Sequence, residues 1–290
     1  MKLSTHALLL LCFLAVISTV CRTEEFGYRD KEEIKKSMMF ADHSSDRRVV
    51  IDNINGSIEV TSTDGNTVEL IVHKTLRAES QKRLDEAKKN ISVDVTQDSD
   101  RIIIYVNTPW RGENGSIHYD SDNYGYDVHC DFELKVPKRT NITLKTVNEG
   151  MIRVKGVQGN FDVRNINKSV ELIDMDGSGN ASTVNGDVDV EFTKNPTQES
   201  SFKTINGEVN VKFQPGLAAD ISMKTMNGEA YTDFPFTSLP STPASEETHS
   251  HKRIYRSGGS FSVRIGSGGP ELSFNTLNGD IYIRKNGESE

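Results

Sequence analysis

Few residues of this 290-residue chain combine the types and spacings that chemistry requires. His249 and His251 stand two positions apart and could contact a metal ion, with only Glu246 and Glu247 nearby as further ligands. The sequence contains no Gly-x-Ser-x-Gly, His-Glu-x-x-His, Gly-x-x-x-x-Gly-Lys or Cys-x-x-Cys motif. We therefore predict no catalytic residue, no resident metal and no cofactor.

Two acidic segments resemble the first half of a calcium loop. They are Asp174-x-Asp176-Gly-Ser178-Gly and Asp120-x-Asp122-Asn-x-Gly125. A calcium loop usually adds a bidentate carboxylate near its twelfth position. That position is Asn185 in the first segment and Asp131 in the second, and neither falls in a predicted helix. We interpret both segments as ordinary polar turns.

Composition excludes several classes of protein. Asp and Glu number 42 against 34 Lys and Arg, giving a net charge of −8, and no basic cluster suggests a nucleic-acid partner. Hydrophobic residues make up 35% of the chain, which is too few for a multispanning membrane protein. Cys130 has no expected disulfide partner, and we interpret it as a small buried hydrophobe in a strand.

Residues 1–21 read as an export signal, with Lys2 followed by an apolar run from Ala7 to Val20. Two modes of processing stay open. Cys21 could be the lipid-modified first residue of a bacterial lipoprotein, or cleavage could follow Cys21 in the ordinary way. Ordinary cleavage is favoured because Val20 fits poorly directly before a lipidated cysteine.

One short pattern recurs and organises the chain. Six segments approximate Thr-x-Asn-Gly-Asp/Glu and lead into an alternating apolar strand such as Val188–Phe192. A further copy lies at 54–60, and the copies stand roughly 20 residues apart, apart from the interval that holds the Pro/Ser-rich excursion 237–257. The predicted corner residues are Asn148, Asn167, Asn185, Gly186, Asn206, Gly207, Asn227, Gly228, Asn278 and Gly279.

This spacing favours an all-β fold, a β-solenoid or β-helix-like stack of ~20-residue repeats with one short flanking helix. In such a stack each strand pairs in parallel with its copy one coil along. Gly takes the corner at positive φ, and Asn side chains hydrogen-bond from coil to coil as an amide ladder. Asn-Gly between alternating strands is also a strong hairpin signal, so an antiparallel meander remains an alternative.

The predicted organisation has three parts. Residues 1–21 form the signal, 22–45 a polar tether or short helix, and 46–290 a single β-repeat domain. The one predicted helix covers Ala78–Asn90, with Leu84 and Ala87 on one side. We expect Leu272–Arg284 to form an uncapped edge of the stack, which could pair with another chain or be blocked by the charged segment Arg284–Glu290.

The order of elements resembles the bacterial putative-adhesin family over roughly residues 47–285. The resemblance rests on the order of five features. They are the opening strand Asn53–Val60, the turn Asp64-Gly65, the helix 79–90, the strand Phe132–Pro137, and Lys145–Asn148 with the Asn-Gly strands after it. It implies an exported envelope or surface protein with a solenoid-like fold and no catalytic residues to transfer. The chain departs from the pattern at Asn165–Ser169, where the corner Gly is missing, and in the 237–257 excursion.

We therefore expect an exported, noncatalytic adhesion or cell-envelope module, in the periplasm, in the envelope or on the cell surface. Its partner would be a protein or polysaccharide, not nucleic acid, and a lipid on Cys21 would be its only link to a membrane. Lys145, Lys203 and Lys224 precede the repeated motif and could form a ladder facing a polymer. The alternatives are a β-helix carbohydrate-active enzyme, which needs acid and base groups converging on one face, and a periplasmic scaffold or stress-response partner.

Overall fold

The computed structural model describes residues 26–41, 46–112, 124–239, 247–249, 252–254 and 260–287. These residues form two large mixed β-sheets, and the one helix among them is α1 (Gln81–Asn90). The all-β prediction is confirmed. The predicted helix is found three residues shorter at its start, and Leu84 and Ala87 are its buried residues as expected.

Ten strands form the first sheet. In spatial order they are β1 (Tyr28–Met39), β4 (Thr67–Ala78), β7 (Tyr126–Pro137), β3 (Ile58–Thr63), β9 (Ile152–Lys155), β11 (Val170–Asp176), β13 (Val188–Lys194), β15 (Val209–Phe213), β23 (Ile281–Lys285) and β17 (Ala230–Thr232). Strand β4 is antiparallel to both of its neighbours, β1 and β7, and the eight strands from β7 to β17 are parallel.

Eleven strands form the second sheet. In spatial order they are β18 (Phe236–Ser238), β21 (Ser260–Ile265), β16 (Ala219–Lys224), β22 (Glu271–Asn275), β14 (Ser200–Lys203), β12 (Gly179–Ser182), β10 (Phe161–Arg164), β8 (Asn141–Lys145), β2 (Arg48–Asp52), β6 (Arg101–Asn107) and β5 (Ser92–Gln97). Antiparallel pairs close both ends of this sheet. A separate antiparallel pair consists of β19 (Glu247–His249) and β20 (Lys252–Ile254).

The repeated motif joins the two sheets. We call a second-sheet strand, the corner after it and the following first-sheet strand a rung. The seven rungs, in spatial order, are β2–β3, β8–β9, β10–β11, β12–β13, β14–β15, β22–β23 and β16–β17. Each strand of a rung pairs in parallel with its equivalent in the next rung. The meander of hairpins is therefore wrong for the motif.

A plain stack in chain order is also not what forms. The last copy of the motif, in rung β22–β23, lies between rungs β14–β15 and β16–β17. Strand β22 separates β14 from β16, and β23 separates β15 from β17. The expected open edge at Leu272–Arg284 is therefore wrong, since both strands there have neighbours on two sides. The edge strands at this end are β17 and β18.

The segment before the first rung also differs from expectation. Residues 28–39 were predicted to belong to a polar tether or a short helix, yet they form β1 and pair along their whole length with β4. The reason is that β4 extends through a 12-residue alternating pattern whose edge needs a partner, and β1 supplies it. Ile34 and Met38 face the core from this strand.

The core lies between the inner faces of the sheets. In each rung the alternating strand sends its apolar residues inward, as with Val209, Val211 and Phe213 of β15, all buried. Aromatic rings from neighbouring rungs pack there, and the Phe192 and Phe213 rings stack with centroids 5.3 Å apart. Burial of these side chains fixes which face of every strand points outward.

Candidate functional site

The corner asparagines form a continuous ladder. The side-chain Nδ2 of each donates to Oδ1 of the asparagine in the preceding rung, at 2.5–3.1 Å. In spatial order the ladder consists of Asn55, Asn148, Asn167, Asn185, Asn206, Asn278 and Asn227. At its beginning Asn55 donates to the carbonyl of Val128 at 3.0 Å. Every bond runs in the same direction, so the amides can polarise one another.

Threonine side chains form a second ladder that the sequence reasoning did not assign. Thr204 Oγ1 donates to the Gly186 carbonyl at 2.8 Å, and Thr276 Oγ1 donates to the Gly207 carbonyl at 3.0 Å. In rung β10–β11 Asn165 replaces the threonine and donates to the Gly150 carbonyl at 3.0 Å. The recurrence of Thr two residues before Asn was the available signal. These hydroxyls satisfy corner carbonyls that would otherwise be left without a donor.

The corner glycines are required by close approach between rungs. A Cβ at Gly207 would lie 2.1 Å from the Gly186 carbonyl oxygen, and a Cβ at Gly279 or Gly228 would lie 2.0 Å from the oxygen of the next corner glycine. Gly186, Gly207 and Gly279 also have φ between 146° and 151°. Both features exclude a side chain here. The corner residues of the repeat therefore hold the rungs together.

Lysines predicted as a ladder lie in one row on the outer face of the second sheet. The row follows the pairing register, and in spatial order it contains Lys145, Arg164, Ser182, Lys203, Asn275 and Lys224. Arg164 is held by Asp162 at 2.9–3.0 Å, while Lys203 and Lys224 are exposed. The structure thus brings the three predicted lysines together, with Arg164 as a fourth cation and two neutral residues between them.

A second outward row consists of apolar residues at the position between Thr and Asn. Their backbones are joined rung to rung, since the N–H of Asn206 donates to the Val184 carbonyl and that of Asn278 to the Ile205 carbonyl. The exposed members are Ile166 (38%), Ile205 (43%), Leu277 (40%) and Met226 (74%). We call these four residues, with Val184, the corner aliphatic row. Sequence reasoning missed it because the position looked like any variable residue.

The densest group of titratable side chains surrounds His129 on β7. Its two ring nitrogens lie 3.1 Å from Asp131 Oδ2 and 3.0 Å from Glu149 Oε2. Asp131 Oδ1 accepts bonds from the hydroxyl and the N–H of Ser57, at 2.6 and 2.8 Å. Arg77 lies 3.4 Å from Glu149 and forms a two-pronged pair with Asp127. We call these residues the His129 cluster.

Its order of contacts does not match a nucleophilic triad. A triad needs the histidine between the serine and the carboxylate, so that the ring nitrogen accepts the hydroxyl proton. Here Asp131 lies between Ser57 and His129, and the Ser57 hydroxyl donates to the carboxylate. Because both ring nitrogens face carboxylates, the histidine satisfies both contacts only as imidazolium. The cluster can hold charge and position the corner, but it has no activated nucleophile.

Hydrogen bonds and neighbouring charges explain the pKa shifts of His129 and Asp131. The hydrogen bond to Asp131, with the charges of Asp131 and Glu149, raises the pKa of His129 above its ordinary value against the opposing effect of burial. The hydrogen bond from His129, together with those from Ser57, holds the pKa of Asp131 well below its usual range. Glu149 occupies a left-handed corner position at φ 61°, which places its carboxylate toward His129.

One pair of carboxyl groups on the outer face of the first sheet resembles an acid and a base. Glu171 on β11 and Asp189 on β13 are cross-strand partners. Burial raises the pKa of Asp189, and the negative charges of Asp187 and Glu171 raise it further, while a hydrogen bond with Asn210 opposes this. The two groups line a shallow depression on the sheet face together with Asn210 and Lys212.

The other residues considered for chemistry are distributed as follows. Asp174 and Asp176 lie within β11 rather than in a loop, and Asp176 accepts a bond from Lys194 at 2.5 Å. Among the described residues no group of three or more His, Cys, Asp or Glu side chains is placed to hold a metal ion. Cys130 is buried, which raises the pKa of its thiol to about 12. Asp120, Asp122, His251, Cys21 and the signal 1–21 lie outside the described residues.

Within the described part of the chain, no helix is long and apolar enough to cross a membrane. No family model matches the chain, and no curated protein matches it.

The solved structures similar to this chain include three at low identity. One is named as a putative cell adhesion protein from Clostridium sporogenes, with 9% identity, a TM-score of 0.43, and 88% of this chain and 100% of that chain covered. A putative adhesin from Bacteroides fragilis has 10% identity, a TM-score of 0.36, and coverage of 88% and 97%. A putative lipid binding protein from Parabacteroides distasonis has 10% identity, a TM-score of 0.28, and coverage of 90% and 98%.

Proposed function

We propose that this chain is an exported, noncatalytic interaction module, an adhesin or cell-envelope component, that contacts a surface polymer. The single observation that supports this is the regular display of outward side chains. The Asn, Thr and Gly contacts hold seven rungs in one register, so that each outward position becomes a straight row. At the usual strand spacing of ~4.8 Å, six rungs present a row on the order of 25 Å long.

The rungs serve, in this proposal, as a solenoid-like scaffold. A rigid row loses little conformational entropy on binding, since its side chains are already spaced by the backbone. Weak contacts repeated along the row add up, which is the condition for multivalent binding to a repetitive ligand. The His129 cluster, which has no activated nucleophile, contributes to the scaffold and not to a reaction.

The ligand that best fits the outer face of the second sheet is an acidic polysaccharide. Lys145, Arg164, Lys203 and Lys224 recur along the row, and Lys203 and Lys224 are exposed without an ion pair among the described residues. Hydroxyl groups of Ser222 and Ser273 occupy the outward position two residues before that row and can hydrogen-bond sugar hydroxyls. A polymer lying along the stack would meet both rows.

The first test locates the protein and then its ligand. Intact cells are treated with protease and the protein is followed by immunoblot beside a periplasmic control. Digestion of this protein with survival of the control supports a surface module. Survival until lysis contradicts the surface adhesin and supports a scaffold inside the envelope.

A second test addresses the row itself. Replacing Lys145, Lys203 and Lys224 with Ala should weaken retardation in a gel containing a uronic-acid polysaccharide at least tenfold, and added salt should weaken the unmodified protein similarly. A matched variant replaces Lys82, Lys155 and Lys212, which are exposed elsewhere. Equal loss in both triple variants would indicate net charge alone, and no loss in either would contradict the proposed face.

The carboxyl pair Glu171 and Asp189 supports one alternative, a carbohydrate-active enzyme. In that case the purified protein would cleave a member of a polysaccharide panel, and Asp189→Asn would abolish cleavage without loss of folding. Absence of cleavage, or cleavage that survives Asp189→Asn, would count against this alternative.

A further inference from the structure

The corner aliphatic row has rows of opposite charge on its two sides. On the second-sheet side, two positions before the row, stand Lys203 and Lys224. On the first-sheet side, beyond the Asn ladder, stand Glu208 and Glu229. All four charged residues are exposed, and they belong to rungs β14–β15 and β16–β17, with rung β22–β23 between them. We call this set, with Ile205, Leu277 and Met226, the charged corner.

The apolar part of the charged corner is continuous. Asn278 donates its N–H to the Ile205 carbonyl and Asn227 donates its N–H to the Leu277 carbonyl, so the three apolar residues occupy consecutive rungs. All three are exposed, and the exposed fraction is largest, 74%, at Met226 at the end of the stack. Single exposed apolar side chains are common, but an adjacent series that ends in a largely exposed methionine is typical of a contact surface.

The charges beside it are available for a partner. Among the described residues, Lys203, Lys224, Glu208 and Glu229 form no ion pair, and the Glu229 carboxylate accepts a hydrogen bond from the Tyr231 hydroxyl at 2.6 Å. By contrast, the equivalent cations in the earlier rungs face carboxylates, since Arg164 pairs with Asp162 and Lys145 lies 4.0 Å from Asp52. The free charges of both signs therefore concentrate where the aliphatic row is exposed.

This arrangement of rows is self-complementary. A two-fold axis parallel to the stack places each rung opposite the same rung of the second copy. It also reverses the lateral order of the basic, aliphatic and acidic rows in the second copy. The aliphatic row of one copy then meets that of the other, and each basic row faces an acidic row. A two-fold axis perpendicular to the stack would place like charges opposite each other, which is unfavourable.

We propose that the charged corner is the interface of a symmetric dimer, in which a second copy of this chain docks with its stack parallel to the first. The contact buries Ile205, Leu277 and Met226, and it pairs Lys203 with Glu208 and Lys224 with Glu229 of the second copy. Because the apolar strip is only one side chain wide, the dimer is of the weak class, with dissociation in the micromolar range.

Other occupants fit the chemistry less well. An anionic membrane surface would be attracted by the lysines and repelled by the glutamates just across the aliphatic row. A cationic partner would be attracted by the glutamates and repelled by the lysines. A second copy satisfies both charged rows at once.

The dimer uses Lys203 and Lys224, which the proposed polymer binding also uses, but the test measures mass in the absence of polymer, so dimerisation can fail independently of polymer binding. Light scattering on the purified protein from about 1 to 200 µM should show monomer passing to dimer, with weaker association at higher salt. The variant Lys203→Glu with Lys224→Glu, and the variant Glu208→Lys with Glu229→Lys, should each associate at least tenfold more weakly. A control variant, Lys155→Glu with Lys212→Glu, changes two exposed lysines on the outer face of the first sheet and should dimerise as the unmodified protein does.

Mixing the two charge-reversed variants gives the decisive result. In the mixed pair every reversed row again faces a row of opposite sign, so a heterodimer should form although neither variant dimerises alone. Thermal unfolding of each variant checks that it is folded. The proposal is overturned by a monomer at all concentrations, by a dimer that persists in both reversed variants, or by a mixture that stays monomeric. Binding of the monomer to anionic phospholipid vesicles, with no dimer, would assign the corner to a membrane instead.

Discussion

Where a glycine follows a corner asparagine, the close approach of the neighbouring rung requires that residue type. Gly207, Gly228 and Gly279 pack against one another through their backbones, with no room for a Cβ. Lys168 stands at this position in rung β10–β11, and the preceding corner differs as well, since it holds one additional residue, Glu149 at φ 61°. The side chain is thus tolerated only where the corner before it is built differently.

Gly207→Ala tests this close approach. The new methyl group would lie 2.1 Å from the Gly186 carbonyl oxygen, so two rungs must move apart, at a cost of about 3 kcal/mol or more. Gly216→Ala is the matched control, because Gly216 also has positive φ, 82°, but open space around it, and it should cost about 1 kcal/mol. Urea unfolding of both variants measures the difference. Equal costs would show that backbone conformation alone selects these glycines.

Among the elements, the His129 cluster joins the long strand β7 to the first corners of the stack. Ser57 belongs to the corner before β3, Glu149 to the corner between β8 and β9, and Arg77 to β4. Three separate segments thus contribute to the His129 cluster, and Glu149 is the one that contacts the histidine directly. Such a junction ties the antiparallel strands to the rungs, and its strength depends on the protonation of His129.

Stability should therefore change with pH in a defined direction. The folded pKa of His129 is raised above its unfolded value of about 6.5, so its contribution is fully present below that pH and is lost as pH rises through the folded pKa. The folded pKa of Asp131 is lowered, so its contribution is present above pH about 4 and is lost as pH falls through the folded pKa.

Urea unfolding at several pH values checks this. The free-energy difference between the unmodified protein and His129→Gln should be larger near pH 5.5 than near pH 8.5, since only the unmodified protein has a titrating group between two carboxylates. His73→Gln is a control, because His73 is more exposed and lies 3.5–3.8 Å from its carboxylates. A difference that stays constant with pH would show that His129 is neutral in the folded protein.

For the whole molecule, the spatial order of the rungs differs from their order in the chain. Rung β22–β23 lies inside the stack, and its Leu272, Phe274, Ile281 and Ile283 are buried in the core. The motif makes this possible, because the corners of rungs β14–β15, β22–β23 and β16–β17 share the same Thr-x-Asn-Gly pattern and therefore the same donors and acceptors. Integrity of the stack therefore depends on strands β22 and β23.

Removal of residues 271–290 should consequently unfold the stack. Four buried apolar side chains are lost, each contributing about 1.5–3 kcal/mol, which together approaches the total stability of a typical domain. We expect no cooperative thermal transition by circular dichroism, whereas removal of residues 288–290 alone should leave the transition unchanged. A cooperative transition in the shorter chain would mean that β14 and β16 can pair directly.

Local patterns account for what could be predicted. Alternation in segments such as Val188–Phe192 identified strands and their inner faces, and the recurrence of Asn-Gly identified the corners and the parallel pairing between copies. The helix followed from its own charge and apolar spacing. By contrast, β1 could not be recognised, since its polar sequence gives no strand signal until β4 is present as its partner.

The same distinction applies to the sites. Composition and repeat spacing by themselves determined an acidic β-rich chain, its ladder of corner asparagines and the row containing Lys145, Lys203 and Lys224. Those features depend on period and residue type, which are local. Only the tertiary structure decided that rung β22–β23 is inserted, that His129 lies between Asp131 and Glu149, and that the aliphatic row separates opposite charges. These depend on contacts between segments far apart in the chain, where many pairings satisfy the same motif and burial of the whole core selects one.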